Sequence, residues 1–117
     1  MEKQGRIVSV NISGKRGVKK TPVESIDVEP GHGIRGDAHA GPDPVRQVSL
    51  LAIESHRKMI AKGADVRPGD FAENITTEGI DLLSLPVGSR LRSGTVEMEV
   101  TQHGKECHTI SVNLREY

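Results

Sequence analysis

The stretch Arg90-Leu91-Arg92-Ser93-Gly94-Thr95-Val96-Glu97-Met98-Glu99-Val100-Thr101 decides the fold class. Val96, Met98 and Val100 alternate with Glu97, Glu99 and Thr101. That is the period of a strand with one buried and one solvated face. Ser93-Gly94 before it supplies a turn, so 90–101 reads as a β-hairpin. The same alternation recurs at the start of the chain, where Val8, Val10 and Ile12 mark a strand over 6–12. Val23, Ile26 and Val28 suggest a second strand with a defect in its alternation, stopped by Pro30-Gly31. Gln47 to Leu51 reads as a short buried strand, and Ala72 to Thr76 as another. Ile80 to Leu85 reads as a brief apolar turn closed by Pro86-Val87-Gly88.

One segment has the helical period instead. Ile53, His56 or Arg57, and Ile60 recur at helical spacing over 52–62, and Gly63 suits the position after the last turn. Five to seven short strands with one helix predict a mainly β, barrel-like fold. With 117 residues, no repeat and no linker, residues 1–117 read as a single domain. There are 13 Gly and 6 Pro, which fits many tight turns, and the scarcity of aromatic residues leaves the core to Val, Ile, Leu and Met.

Charge is balanced, 16 Lys+Arg against 16 Asp+Glu. Duplex nucleic acid calls for a positive excess, so none is expected as partner. No run approaches the ~18 apolar residues of a membrane span, and the N-terminus has no apolar signal core. The reading is a cytoplasmic protein without a membrane partner. The basic run Lys15, Arg16, Lys19, Lys20 reads as a solvated loop, with an anion or partner contact as the alternative.

The single cysteine, Cys107, lies in His103-Gly104-Lys105-Glu106-Cys107-His108. A thiolate is the reactive form, and neighbouring cations lower a thiol's pKa. Lys105, His103 and His108 can supply that charge. The open readings are a small hydrophobe at a strand end, a nucleophile, a sulfur carrier or a soft-metal ligand. A second concentration of polar groups is the loop Pro30 to Pro44, with four Gly and three Pro in fifteen residues. His32, Arg35, Asp37 and His39 sit on it and Arg46 follows. Its glycines allow backbone N–H groups to approach an anion, and an arginine can grip a phosphate through two hydrogen bonds. A metal site from His32, Asp37 and His39 matches none of the strong zinc spacings, and a turn-rich polar loop remains the plain alternative. Asn74, Thr76 and Thr77 could bind a ligand or cap turns and strand ends.

Five segments in order resemble the MOSC domain, named for the C-terminal domain of molybdenum cofactor sulfurase. They are Gly33 to Gly41, Arg46 to Leu51, Pro68 to Thr76, Leu85 to Leu91, and Gly104 to His108. The likeness is to the small stand-alone bacterial type. The resemblance implies a fold similar to the pyruvate kinase barrel domain and a role around the molybdenum cofactor. It implies that Cys107 is the catalytic residue, carrying sulfur as a persulfide or ligating molybdenum. It places molybdopterin near His32, Arg35, Asp37, His39, Arg46, Asn74, Lys105 and His108. A cysteine desulfurase or other sulfur donor and a metalloenzyme acceptor would be its partners. Two alternatives accompany it: a molybdenum-dependent reductase of N-hydroxylated compounds, and a non-catalytic interaction domain. Pyridoxal phosphate, associated with the family through an attached sulfurase domain, is not expected in this chain. Thr109 to Tyr117 does not resemble the longer family tail, so the sequence predicts a shortened C-terminus and an open barrel edge. Such an edge invites a homodimer.

Overall fold

The computed structural model describes residues 4–15, 18–41, 47–104 and 109–115, with only the backbone of residues 113 and 115. The strands are β1 (Arg6–Ile12), β2 (Thr21–Val23), β3 (Val28–Glu29), β4 (Gly33–Ile34), β5 (Val48–Ala52), β6 (Ile75–Glu78), β7 (Arg90–Ser93), β8 (Val96–His103) and β9 (Ile110–Arg115). One α-helix, α1 (Ile53–Ala61), follows β5, and a 3₁₀ turn covers Leu82–Ser84. Seven strands form one sheet in the order β2-β1-β6-β5-β9-β8-β7, curled into a half barrel. β3 and β4 make a separate two-stranded ribbon.

All neighbours in the main sheet run antiparallel except β5 and β6, which are parallel. Parallel strands need a crossover, and α1 lies within that connection. The inner face of the half barrel carries Val48, Leu50, Ile75, Met98, Val100, Ile110, Val112 and Leu114, with Ile34 and Leu82 packed onto them. This core is aliphatic, as the composition requires.

The hairpin at 90–101 forms as its alternation predicts, with Met98 and Val100 buried. Three elements differ from expectation. Val23 to Val28 is two short strands in different sheets, not one bulged strand. The 72–76 strand begins later, at Ile75. The segment after Cys107 is β9, paired on both sides between β5 and β8. Ile110, Val112 and Leu114 alternate inward there, so the stretch read as an atypical tail builds the middle of the sheet. On α1, His56 is fully buried while Ile60 is 51% exposed. Gly63 adopts φ 97° after the last turn, as its position suggests.

Candidate functional site

The glycine-rich loop is held by its own backbone. β3 and β4 pair Val28 with Ile34 and Glu29 with Gly33, and Ile34 plugs into the core. The reversal between them needs φ 72° at Gly31 and φ 116° at Gly33, a region that glycine tolerates best. A side chain at Gly33 would also crowd the Gln47 carbonyl at 3.1 Å. The N–H groups of Gly31, His32, Arg35, Asp37, Ala38, Ala40 and Gly41 all donate to backbone carbonyls. The His39 N–H donates to Asp37 Oδ2 at 3.0 Å. The loop is therefore a self-bonded scaffold and not an open nest of amides.

Its side chains collect around Asp37. Asp37 Oδ1 accepts from Lys20 Nζ at 2.7 Å and from the Ser13 N–H at 3.1 Å. Both side chains of the ion pair are essentially out of solvent. Lys20 Nζ also lies 3.3 Å from His39 Nδ1, which brings Asp37 and His39 together. Burial alone would push the Asp37 carboxyl up. The hydrogen bonds from Lys20, His39 and Ser13, with the Lys20 charge, outweigh it and hold the carboxyl below its ordinary range. Lys20 thus corrects the reading of the basic run as a solvated loop. Its ammonium is buried because a carboxylate 17 residues away meets it. Gly69 makes room: its φ is 92°, and a Cβ there would lie 2.2 Å from the Lys20 carbonyl. Lys20 N–H donates to the Gly69 carbonyl at 2.8 Å. Arg35 faces outward and pairs with Glu29. His32 is half-buried, its carbonyl accepting from the Gly41 N–H.

A second polar cluster lies on the outer face of the sheet, where α1 packs. His56 Nε2 and Thr76 Oγ1 donate to Glu73 Oε2 at 2.7 and 2.9 Å. The Phe71 N–H donates to Glu73 Oε1 at 3.2 Å, and Asn11 Nδ2 donates to Thr76 Oγ1 and the Glu73 carbonyl. His56, Glu73, Asn11 and Asn74 are all fully buried. Asn74 bridges strands: its Oδ1 accepts from the Ser49 N–H and its Nδ2 donates to the Asn11 carbonyl. Sequence spacing does not reveal this His–Glu pair, whose members lie 17 residues apart. His56 at an inward helical position was the available signal.

Cys107, Lys105, His108 and Arg46 lie outside the described residues. The described flanks of the Cys107 segment are clear. Gly104 N–H donates to the Thr109 carbonyl at 2.7 Å, and His103 pairs with Ile110. His103 Nε2 donates to the Leu85 carbonyl at 2.6 Å. Because Leu50 opposes Ile110 and Val48 opposes Val112, these flanks sit at the end of the sheet where β5 leads into α1. The glycine-rich loop packs at the other end, against the Leu114 and Ser13 carbonyls. An anionic cofactor needs donors; the described backbone N–H groups of the loop engage theirs internally, while the Arg35 side chain, paired with Glu29, stays largely exposed. Among the described residues no group of three or more His, Cys, Asp or Glu could hold a metal ion.

The family model of the MOSC domain matches residues 35–117. The chain belongs to the MOSC domain family. That family is associated with the molybdenum cofactor. The MOSC fold is also found in solved structures. The crystal structure of the YUAD protein from Bacillus subtilis matches with a TM-score of 0.81 and 17% identity over 96% of this chain and 88% of that one. A hypothetical protein matches with a TM-score of 0.73 and 17% identity over 96% of this chain and 60% of its own. YiiM from Escherichia coli matches with a TM-score of 0.60 and 21% identity over 84% of this chain and 46% of its own. The chain thus spans less than two thirds of the length of the latter two. No curated protein matches it. No described helix is long and apolar enough to cross a membrane.

Proposed function

We propose that this MOSC domain is a molybdenum-cofactor-associated sulfur carrier that uses Cys107 as its thiol. The observation that supports the reading most is the family match, which spans 35–117 and includes the chain's single cysteine. A carrier needs one accessible soft nucleophile and no dedicated proton relay. In the transfer step the Cys107 thiolate attacks the outer sulfur of a donor persulfide, such as that of a cysteine desulfurase. A sulfur–sulfur bond forms at Cys107, the donor's sulfur–sulfur bond breaks, and the donor leaves as its thiolate. Sulfane sulfur moves without net oxidation. A thiolate of the acceptor protein then attacks the outer sulfur of the Cys107 persulfide: the new sulfur–sulfur bond forms at the acceptor and Cys107 leaves as its thiolate.

A thiolate suited to sulfane sulfur also suits molybdenum, because both are soft partners. The metal-ligating form of the reading is tested by expression in a host that makes the molybdenum cofactor. Molybdenum that co-purifies with the wild type and is lost in Cys107→Ser supports a ligand role for the thiol. Equal metal content in the two proteins counts against it. The Asp37–Lys20–His39 cluster supports the reading indirectly, as a rigid anchor for the loop whose motif Gly33 to Gly41 carries part of the family likeness.

A further inference from the structure

The curled sheet ends in two edges, and one cavity touches both. Among the described residues β7 has a strand on one side only, β8. β2 covers β1 only from Val10 to Ile12, so Arg6 to Ser9 also have a strand on one side only, β6. A cavity of about 260 Å³ opens between these two stretches, and its lining includes Ile7, Leu82, Leu91 and Met98 as well as Arg6 and Arg92. Strand alternation sorts the two faces. Leu91 lies opposite the buried Met98, on the inner face. Arg90 and Arg92 take the outer positions, opposite Glu99 and Glu97, and Arg6 takes the outer position opposite Glu78. The backbone is sorted as well. Ser93 pairs with Val96 across a two-residue turn, and hydrogen-bonded residues alternate along an antiparallel pair. Leu91 and Ser93 therefore bond to β8, and Arg90 and Arg92 direct their backbone N–H and C=O groups away from it.

From this geometry we propose that the β7 edge takes up an extended segment of a partner protein in which apolar and acidic residues alternate. The segment adds to β7 through main-chain hydrogen bonds. Its inward side chains enter the cavity beside Leu91 and Met98 and cover Ile7, which is 43% exposed. Its outward carboxylates lie beside Arg90 and Arg92, with Arg6 on the far rim. The glutamates that pair with Arg90 stand on β8, and the one that pairs with Arg6 stands on β6, so each is one strand further from the incoming chain. A cross-strand neighbour sits about 5 Å away. A charge one strand further is about 10 Å off, a full Debye length, and is largely screened. The arginines therefore set the sign that the segment meets. A second copy of the chain is the poorer occupant. Pairing β7 with β7, or with the β1 edge, while keeping apolar side chains inward sets arginine against arginine, and like charges directly opposite destabilise a sheet. The proposal does not rest on the chemistry of Cys107.

The test is a titration of the full chain with the end-capped peptide EVELEVE, read by fluorescence anisotropy and by the backbone amide resonances of Ile7, Arg90 and Leu91. Saturable binding with shifts at these amides is expected. The charge-reversed peptide KVKLKVK is expected to bind more weakly, and EVELEVE N-methylated at its central residues, which removes the donors of the new ladder, is expected not to bind. Arg6→Gln combined with Arg90→Gln changes two exposed side chains and leaves the fold intact. It is expected to weaken EVELEVE about 2- to 30-fold, the range two cross-strand charge pairs give. Absence of saturable binding overturns the proposal. So does equal binding of KVKLKVK or of the N-methylated peptide, or an affinity unchanged in the double variant. Self-association of the chain that shifts the Arg90 and Leu91 amides in place of the peptide also overturns it, in favour of a second copy.

Discussion

At the scale of single residues, the Asp37–Lys20 pair is the clearest case of chemistry hidden in the sequence. Lysine is almost never buried without a partner, and nothing local to Lys20 announces one. The partner comes from a different loop, so the basic run around it reads as solvated. Removing one member leaves the other charged and dry. Lys20→Met is expected to cost roughly 3–5 kcal/mol, read by urea unfolding. The pair also sets an acid limit. The folded Asp37 carboxyl titrates below its ordinary value. A group depressed on folding contributes stability above its unfolded pKa, and that contribution is lost as pH falls through the folded value. Stability is therefore expected to drop below about pH 4, and Asp37→Asn is expected to flatten that part of the pH profile while lowering stability at pH 7. Gly69 is as constrained. Gly69→Ala forces a Cβ against the Lys20 carbonyl at an unfavourable φ, and a loss of more than ~1 kcal/mol is expected in thermal or urea unfolding.

At the scale of elements, alternation makes β8 legible, with Met98 and Val100 buried between less buried neighbours, and it marks β1 as a strand although a register shift between Ile7 and Ser9 leaves Val8 exposed. Spacing and Gly63 made α1 legible. The partners of its inward face were not, since the pairing of His56 with Glu73 depends on a crossover that brings residues 17 apart into contact. β9 shows the opposite failure. Its alternating Ile110, Val112 and Leu114 carry the strand period, which the likeness to a longer family tail obscures. The structure places this strand between β5 and β8. Ile110→Ala is expected to cost roughly 2–5 kcal/mol, as for other buried large-to-small changes. Ile60→Ala, at an exposed position of α1, is expected to stay within ~0.5 kcal/mol. Hydrogen exchange offers an independent check. The amides of β9 are expected to exchange only on global unfolding, and those of the edge strands β2 and β7 much sooner.

At the scale of the whole molecule, the half barrel presents two different ends. One carries the self-bonded glycine loop with its buried ion pair. The other carries the flanks of the Cys107 segment beside the start of α1. The motifs that mark the family are thus distributed over the molecule, and the loop's backbone is braced by internal hydrogen bonds. The order of motifs along the chain was enough to reveal the family and the fold class. The distribution of those motifs between two ends was not, because it depends on strand register, which spacing does not encode. On this account the chemistry rests on the thiol. The most direct measurement is the mass of the Cys107 peptide after incubation of the intact protein with a cysteine desulfurase and cysteine, with Cys107→Ser and a known sulfur acceptor as controls. The account predicts a peptide heavier by one sulfur atom that reverts on treatment with a reducing thiol. An unmodified Cys107 beside a loaded control acceptor would contradict it.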